Sequence, residues 1–245
     1  MHRWHLRRGY LDVRGETTSG DKPEDDDQMV KNEHSIRAVS VVLQCSVIMP
    51  TINERMRRVK EKLGAVNALY PTPTTLVGAM VSEKPNFITI AHICIMTHNH
   101  ISLGMGKIHY TNTGIKENKT FSVCLPSENL AIETDYCGIM TGKKTDKAVL
   151  FEIFYGELKT APMIQQCMVC MECRLDRIID FPTHDVFIGE IVQTYADESI
   201  LSGKNVDISK LKPLLFDMNS KKYWSLGGEI AKCWNIGKQL KTDKT

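Results

Sequence analysis

The stretch from Thr74 to His92 constrains the fold more than any other part of the chain. Thr74-Thr-Leu-Val-Gly-Ala-Met-Val81 is β-branched and apolar, Ser82-Glu-Lys-Pro-Asn86 has the composition of a turn, and Phe87-Ile-Thr-Ile-Ala-His92 resumes the strand pattern. Two such runs joined by a short polar connection read as a β-hairpin. Phe121-Ser-Val-Cys-Leu125, ended by Pro126, is a further short strand, and Met168 to Leu175 and Asp185 to Ala196 complete the set. In the last of these Val186, Ile188, Glu190 and Val192 share one face, while Phe187, Gly189 and Ile191 share the other. Both faces are therefore expected to be largely buried. Ser127-Glu-Asn-Leu-Ala-Ile-Glu-Thr-Asp135 carries the serine cap and acidic first turn of a helix. Many short strands, a few helices and no alternation of strand with long helix predict a mainly β fold, a barrel rather than a doubly wound sheet.

A chain of 245 residues, 42% of them hydrophobic, suits one large domain or two small ones and can bury a substantial core. A formal charge of +2 gives no reason to expect nucleic acid or an anionic membrane surface as a partner. Eight cysteines are too sparse for a secreted disulfide scaffold, and no secretory signal is recognisable, so a cytoplasmic protein is expected. The apolar run from Val39 to Pro50 is interrupted by Ser40, Gln44 and Ser46 and is too short to span a bilayer. Residues 1–55 carry the acidic cluster Glu24-Asp-Asp-Asp27 and no sustained period of 2 or 3.6. They read as a poorly ordered extension. Met56-Arg-Arg-Val-Lys-Glu-Lys looks like a natural start, which raises the expectation that the extension is not part of the native protein and that 56–245 is the working domain.

The chemistry concentrates in Ser102-Leu-Gly-Met-Gly-Lys-Ile-His-Tyr-Thr111, where Ser102, Lys107, His109, Tyr110 and Thr111 surround Gly104 and Gly106. Glycines admit a ligand close to the backbone, and lysine, imidazole and hydroxyl groups suit a phosphate monoester. The same composition also describes a solvated loop. Gly104-Met-Gly106 lacks the third glycine and the strand-turn-helix setting of a dinucleotide fingerprint. Cys167-Met-Val-Cys-Met-Glu-Cys173 has spacing that suits an iron–sulfur cluster, but the next cysteine is the distant Cys233. Within a strand, residues three apart point to opposite faces, so Cys167 and Cys173 are not expected to share a site with Cys170. Structural thiols are the favoured reading. His92, His98 and His100 have only Cys94 as a further nearby ligand, and no metal is expected. Lys147 closes a turn-rich stretch from Met140 and fits either a ligand-facing cation or a solvated side chain. His184, after Pro182-Thr183, fits either a structural or a functional role.

In order along the chain these residues resemble the flavoredoxin-like branch of the flavin reductase superfamily, the FMN-binding split-barrel proteins. The resemblance runs from about Lys62 to Lys238. It is carried by Tyr70-Pro-Thr-Pro73, Pro85-Asn-Phe-Ile-Thr-Ile-Ala91, Gly106-Lys-Ile-His-Tyr-Thr111 and Phe121-Ser-Val-Cys-Leu-Pro-Ser-Glu128. Further matches are Asp135-Tyr-Cys-Gly-Ile-Met-Thr-Gly142, Thr145-Asp-Lys147, Met171-Glu-Cys-Arg-Leu175, His184, Val186-Phe-Ile-Gly-Glu-Ile191 and Tyr223-Trp-Ser-Leu-Gly227.

The resemblance implies a six-stranded Greek-key barrel that forms a homodimer and holds FMN near the subunit interface. It puts Thr89, Ile90, Ala91 and His92 along the isoalloxazine ring and Lys107, His109, Tyr110 and Thr111 at the phosphate, with Ser102 a further candidate. Lys147 and His184 match residues near the flavin, and Cys124, Pro126 and Ser127 match the strand end beside the ring. The chain departs from relatives at His92, where tryptophan is frequent, and at Cys124, where asparagine is common. The implied activity is an oxidoreductase, an NAD(P)H-dependent flavin reductase. The alternatives are an electron carrier served by a ferredoxin-like protein and a thiol-based redox or metal sensor built on Cys167, Cys170 and Cys173.

Overall fold

The computed structural model describes residues 60–241. The chain separates into two units, Met1–Glu61 and Lys62–Thr245, and the second holds every strand and helix described below. The expectations for residues 1–55 lie outside the described residues.

Seven strands form the main sheet: β1 (Thr75–Val81), β2 (Lys84–Ile90), β3 (Ile93–Ile95), β4 (His100–Gly106), β5 (Thr120–Leu125), β6 (Val169–Asp180) and β7 (His184–Ala196). Their spatial order is β2-β1-β5-β6-β7-β4-β3. This order forces curvature. β2 and β3 stand at opposite edges, yet only Ala91 and His92 separate them in the chain. A flat sheet of seven strands would place those edges roughly 29 Å apart, at about 4.8 Å per strand. A linker of two residues reaches only about 10 Å. The sheet therefore rolls up, and the barrel read from the sequence is present with a three-residue seventh strand at its rim.

The interior is a single cluster that draws Val77, Ile88, Leu103, Met105, Phe121, Val123 and Phe187 from strands around the whole sheet. Helix α1 (Thr111–Asn118) adds Ile115. Gly114 makes that helix fit, because a Cβ there would lie 2.0 Å from the Met80 carbonyl oxygen. A second cluster covers the outer face of β1, β2, β5 and β6, where Leu76, Phe87, Cys124 and Cys170 meet Cys137 of helix α2 (Ala131–Ile139) and Phe151, Met163, Ile164 and Cys167. Each fully buried aliphatic or aromatic side chain contributes about 1.5–3 kcal/mol.

Several local expectations are modified. The first hairpin turns at Ser82 and Glu83, whose φ values of 50° and 63° meet the requirement of a two-residue primed turn. β2 then starts at Lys84 and includes Pro85, which is tolerated because β2 is an edge strand. The helix expected from Ser127 begins as a 3₁₀ turn, Glu128–Leu130, and Ser127 occupies its capping position without a side-chain cap bond. In β7 the strict alternation is broken by register shifts after Ile188 and Ile191. Burial of successive residues is confined to Phe187–Gly189, and Gln193 and Thr194 are exposed. Gly189 is where Phe121 presses in, since a Cβ would sit 2.3 Å from its ring.

The cysteine expectation is corrected. β6 begins at Val169, so Cys167 lies in the preceding turn and the pleat rule does not govern it. Cys167 and Cys170 share one cluster with Cys124, and Cys173 alone turns to the barrel interior.

Candidate functional site

A groove opens where the end of β2 meets the start of β7. Along β4, Ile101, Leu103 and Met105 point into the core, leaving Ser102, Gly104 and Gly106 on the opposite face. The glycines at 104 and 106 leave room for two imidazoles. A Cβ at Gly104 would lie 3.2 Å from the His92 Cβ, and one at Gly106 would lie 3.4 Å from the His109 ring. Gly106 is also the register partner of His184, so β4 and β7 bring three histidines to one place. The His92 and His184 rings are 6.1 Å apart. Tyr70 hydroxyl lies 3.0 Å from His92 Nε2, and Thr183 hydroxyl lies 2.8 Å from His184 Nδ1.

Thr89, Ile90, Ala91 and His92 form one wall of this recess, and Asp135, Gly138 and Ile139 of α2 form the other. Phe216 and Tyr223 close it from the small sheet made by Thr72–Pro73, Leu215–Asp217 and Lys222–Trp224, together with Met218 in the turn between the last two strands. The Tyr223 hydroxyl donates to Asp135 at 2.9 Å. Burial, reinforced by that carboxylate, pushes the Tyr223 phenol up to about 12. The volume is about 350 Å³.

At His109 the groove continues into a second recess of about 260 Å³, lined among others by Ile88, Tyr110, Thr111, Thr141, Gly142 and Lys147. His109, Gly138 and Ile139 line both. No side chain caps the start of α1, with Tyr110 at its capping position. The positive end of that helix therefore meets the groove. Asn86 fixes this corner by donating to the Thr111 hydroxyl at 2.7 Å. Lys147 is 2% exposed and donates to the Cys137 and Met140 carbonyls at 3.0 Å each. Burial lowers its pKa, against the opposing influence of Cys137. Burial likewise lowers the pKa of His109, helped by the charges of His184 and Lys147. His109 Nδ1 is buried without a partner. A groove with apolar walls, backbone edges and one cationic corner suits a planar ligand that carries an anionic group.

The groove gathers Thr89, Ile90, Ala91, His92, His109, Tyr110, Thr111, Lys147 and His184. Four other expected residues lie elsewhere. Ser102 shares the strand face of the two glycines but is not part of the lining, and it pairs with Ile188 and Cys94. Lys107 is outside the lining and forms an ion pair with Asp180. Cys124 is fully enclosed in the outer cluster, and Ser127 bridges Pro213. Of the histidines considered as metal ligands, His92 faces the groove, whereas His98 lines a separate apolar recess and His100 bonds Thr97. Among the described residues no three His, Cys, Asp or Glu side chains come together as a metal set. Sequence reasoning assigned no role to Asp135, Gly138, Ile139, Phe216, Met218 and Tyr223. Four of them sit in the stretches Asp135–Gly142 and Tyr223–Gly227, whose pattern was visible without a spatial reason for it.

Residues 67–225 match the model of the flavin reductase like domain. The chain belongs to the flavoredoxin-like branch of the flavin reductase superfamily. Its fold superposes on flavoredoxin from Methanosarcina acetivorans with a TM-score of 0.72 and 41% identity, covering 74% of this chain and 99% of that one. Flavoredoxin of Desulfovibrio vulgaris (Miyazaki F) gives 0.69 and 32% identity, covering 74% and 100%. An uncharacterized protein of Archaeoglobus fulgidus is 29% identical over 148 residues, 59% of this chain and 83% of its own length. Family membership gives the chain a flavin-related redox context, and the β2 and α2 walls of the groove fall inside the matched domain. No helix among the described residues of this flavin reductase superfamily member is long and apolar enough to cross a membrane.

Proposed function

We propose that the chain is a flavoprotein that binds FMN in this groove and passes electrons through it. The observation that carries the reading is the cationic corner, where the unpartnered His109 Nδ1, the uncapped start of α1 and buried Lys147 converge at one end of a partly apolar cleft. That arrangement fits a phosphate-bearing planar ring. Bound FMN would supply reversible one- and two-electron transfer.

The protein's own part is positioning and electrostatics. Backbone groups from Thr89 to His92 flank the ring, and the first turn of α1 with Thr111 and His109 receives the phosphate. Lys147, anchored at the end of α2 in the recess that adjoins the ring's, adds positive charge to the site and so favours the anionic reduced form. The short strand β3 and its neighbours offer a place for a second copy. Ile95 is 80% exposed beside an apolar recess of about 530 Å³ that includes Ile93, Ile101, Leu125, Met171 and Ile191. A homodimer is therefore part of the proposal, and light scattering at twice the chain mass tests it.

The decisive experiment is to denature the purified protein and chromatograph what it releases. FMN at about one per chain supports the reading, whereas FAD alone or no flavin overturns it. Anaerobic mixing with NADH or NADPH then separates two roles. Rapid bleaching indicates a flavin reductase, and bleaching only by a ferredoxin-like donor indicates an electron carrier.

A further inference from the structure

Three thiols stand together away from the groove. Cys124 on β5 is the direct register partner of Cys170 on β6. Opposed Cα atoms in an antiparallel pair lie about 4.5 or 5.5 Å apart, within the roughly 4.4–6.8 Å that a disulfide spans. Cys124 packs in one cluster with Cys167 and Cys170, and the Cys170 thiol reaches the Ile164 and Cys167 carbonyls at 3.4 and 3.8 Å. Cys167 is the outermost of the three at 5% exposed, whereas Cys124 and Cys170 are at 0% and 1%. All three are free thiols. Their packing neighbours are apolar, and no substrate-facing role occupies them.

We propose that Cys124, Cys167 and Cys170 form a dithiol–disulfide redox centre, oxidised by peroxide to a cross-strand Cys124–Cys170 disulfide with Cys167 as the entry thiol. The Cys167 sulfur attacks one peroxide oxygen. An S–O bond forms, the O–O bond breaks, and the departing hydroxide takes the thiol proton and leaves as water. The Cys124 sulfur then attacks the sulfenic Cys167. An S–S bond forms, the S–O bond breaks, and a second water leaves with the Cys124 proton. Finally Cys170 attacks Cys124, and Cys167 departs as the thiol with the Cys170 proton. Two thiols lose one electron each, and one peroxide becomes two waters.

Exposure sets the entry point at Cys167, and the capacity to hold charge sets the order of the later steps. Burial opposes ionisation of Cys124, but S–H groups from Cys167 and Cys170 lower its pKa. The same interactions, with burial, raise the other two thiols. Cys124 is thus the member best able to hold negative charge and to act as the second nucleophile. A register-opposed pair also suits a disulfide that forms without moving either strand.

The test treats the full chain with graded hydrogen peroxide, with no flavin reductant present, then alkylates it under denaturing conditions and maps tryptic peptides. Cys124 falls in peptide 120–143, and Cys167 and Cys170 fall in peptide 160–174. The expected result is a joined pair of these peptides, fragmenting at Cys124 and Cys170, and restored to free thiols by dithiothreitol. Cys170→Ser should stop the sequence at a Cys124–Cys167 link, and Cys167→Ser should slow formation of the final bond at least tenfold. A link confined to peptide 160–174, a link through Cys137, or sulfinic and sulfonic products alone would overturn the proposal. The wild-type map decides the matter even if a variant folds poorly. The outcome is independent of the flavin reading, because the experiment never reduces or removes a flavin.

Discussion

Lys147 Nζ donates to the Cys137 carbonyl oxygen at 3.0 Å, so a buried lysine terminates helix α2 at the edge of the groove. One side chain therefore serves two tasks, capping a helix and placing charge beside a ligand. Replacing it with methionine keeps the buried volume and leaves the Cys137 and Met140 carbonyls without their donor. Lys147→Met is expected to destabilise the fold by about 1–3 kcal/mol in urea denaturation. It should also lower the midpoint potential of the bound flavin while the flavin stays bound. An unchanged potential in an anaerobic redox titration would remove Lys147 from the site.

His109 makes stability depend on pH in a defined direction. Its folded pKa lies below the ordinary 6.5, because burial and the charges of His184 and Lys147 disfavour the imidazolium. Between the folded and unfolded values the unfolded chain binds more protons. Stability is then highest above 6.5 and declines as the pH falls through that value toward the folded pKa. Thermal melts from pH 7.5 to 5 should show a steeper loss for the wild type than for His109→Gln. Binding of an anion at this corner should oppose the trend, since it favours the charged ring. A wild-type profile parallel to that of the variant would contradict the assignment.

Lys107 illustrates how a sequence motif and a side chain part company. The Gly-Lys-Ile-His-Tyr-Thr run suggests that every polar member faces one anion. In the structure Lys107 bonds Asp180, an exposed carboxylate that ends β6 beside the start of β7, while His109 and Thr111 line the groove. An exposed pair of this kind is screened by solvent and contributes little. Because Lys107 is outside the lining and Thr111 is in it, Lys107→Ala is expected to leave FMN affinity close to that of the wild type and Thr111→Ala to weaken it. Fluorescence titration of both variants with FMN checks the order, and the reverse order would return Lys107 to the phosphate.

The hairpin, the β5 strand and the two long strands were legible because period-2 patterns and turn residues act locally. Curling was not legible locally. The barrel was read from the many short strands without strand–helix alternation, and the reason that the sheet closes, Ala91 and His92 joining opposite edges, comes from the strand order. The same limit applied to the site. Thr89 to His92 and His109 to Thr111 are contiguous in the chain, so their motifs announced them. Asp135 and Tyr223 meet across 88 positions, and no pattern in either segment predicts their 2.9 Å hydrogen bond. Cys167 was misplaced for a related reason: it lies two residues before the strand start at Val169, where the pleat no longer fixes its side chain.

Glu172 separates scaffold from site. It is wholly buried on β6, far along the sheet from the groove, and accepts from the Glu157 and Leu158 amides at 3.0 and 2.7 Å and from the Tyr195 hydroxyl at 2.8 Å. Gly156 leaves space for this cluster, since a Cβ there would come within 2.6 Å of Glu172 Oε1 and 2.2 Å of the Tyr195 hydroxyl. Glu172→Ala leaves three part-buried donors without their acceptor, at the lower end of the roughly 1–3 kcal/mol for each unsatisfied group, since water can reach them. A total loss of about 3–5 kcal/mol is expected in urea denaturation. Gly156→Val should produce a similar loss by forcing the same cluster apart from the other side. Wherever either variant remains folded, its FMN affinity should match that of the wild type, because nothing in the groove touches Glu172. A variant that folds with normal stability but loses flavin would mean that the Glu157–Leu158 loop, and not the β2 and α2 walls, carries the ligand.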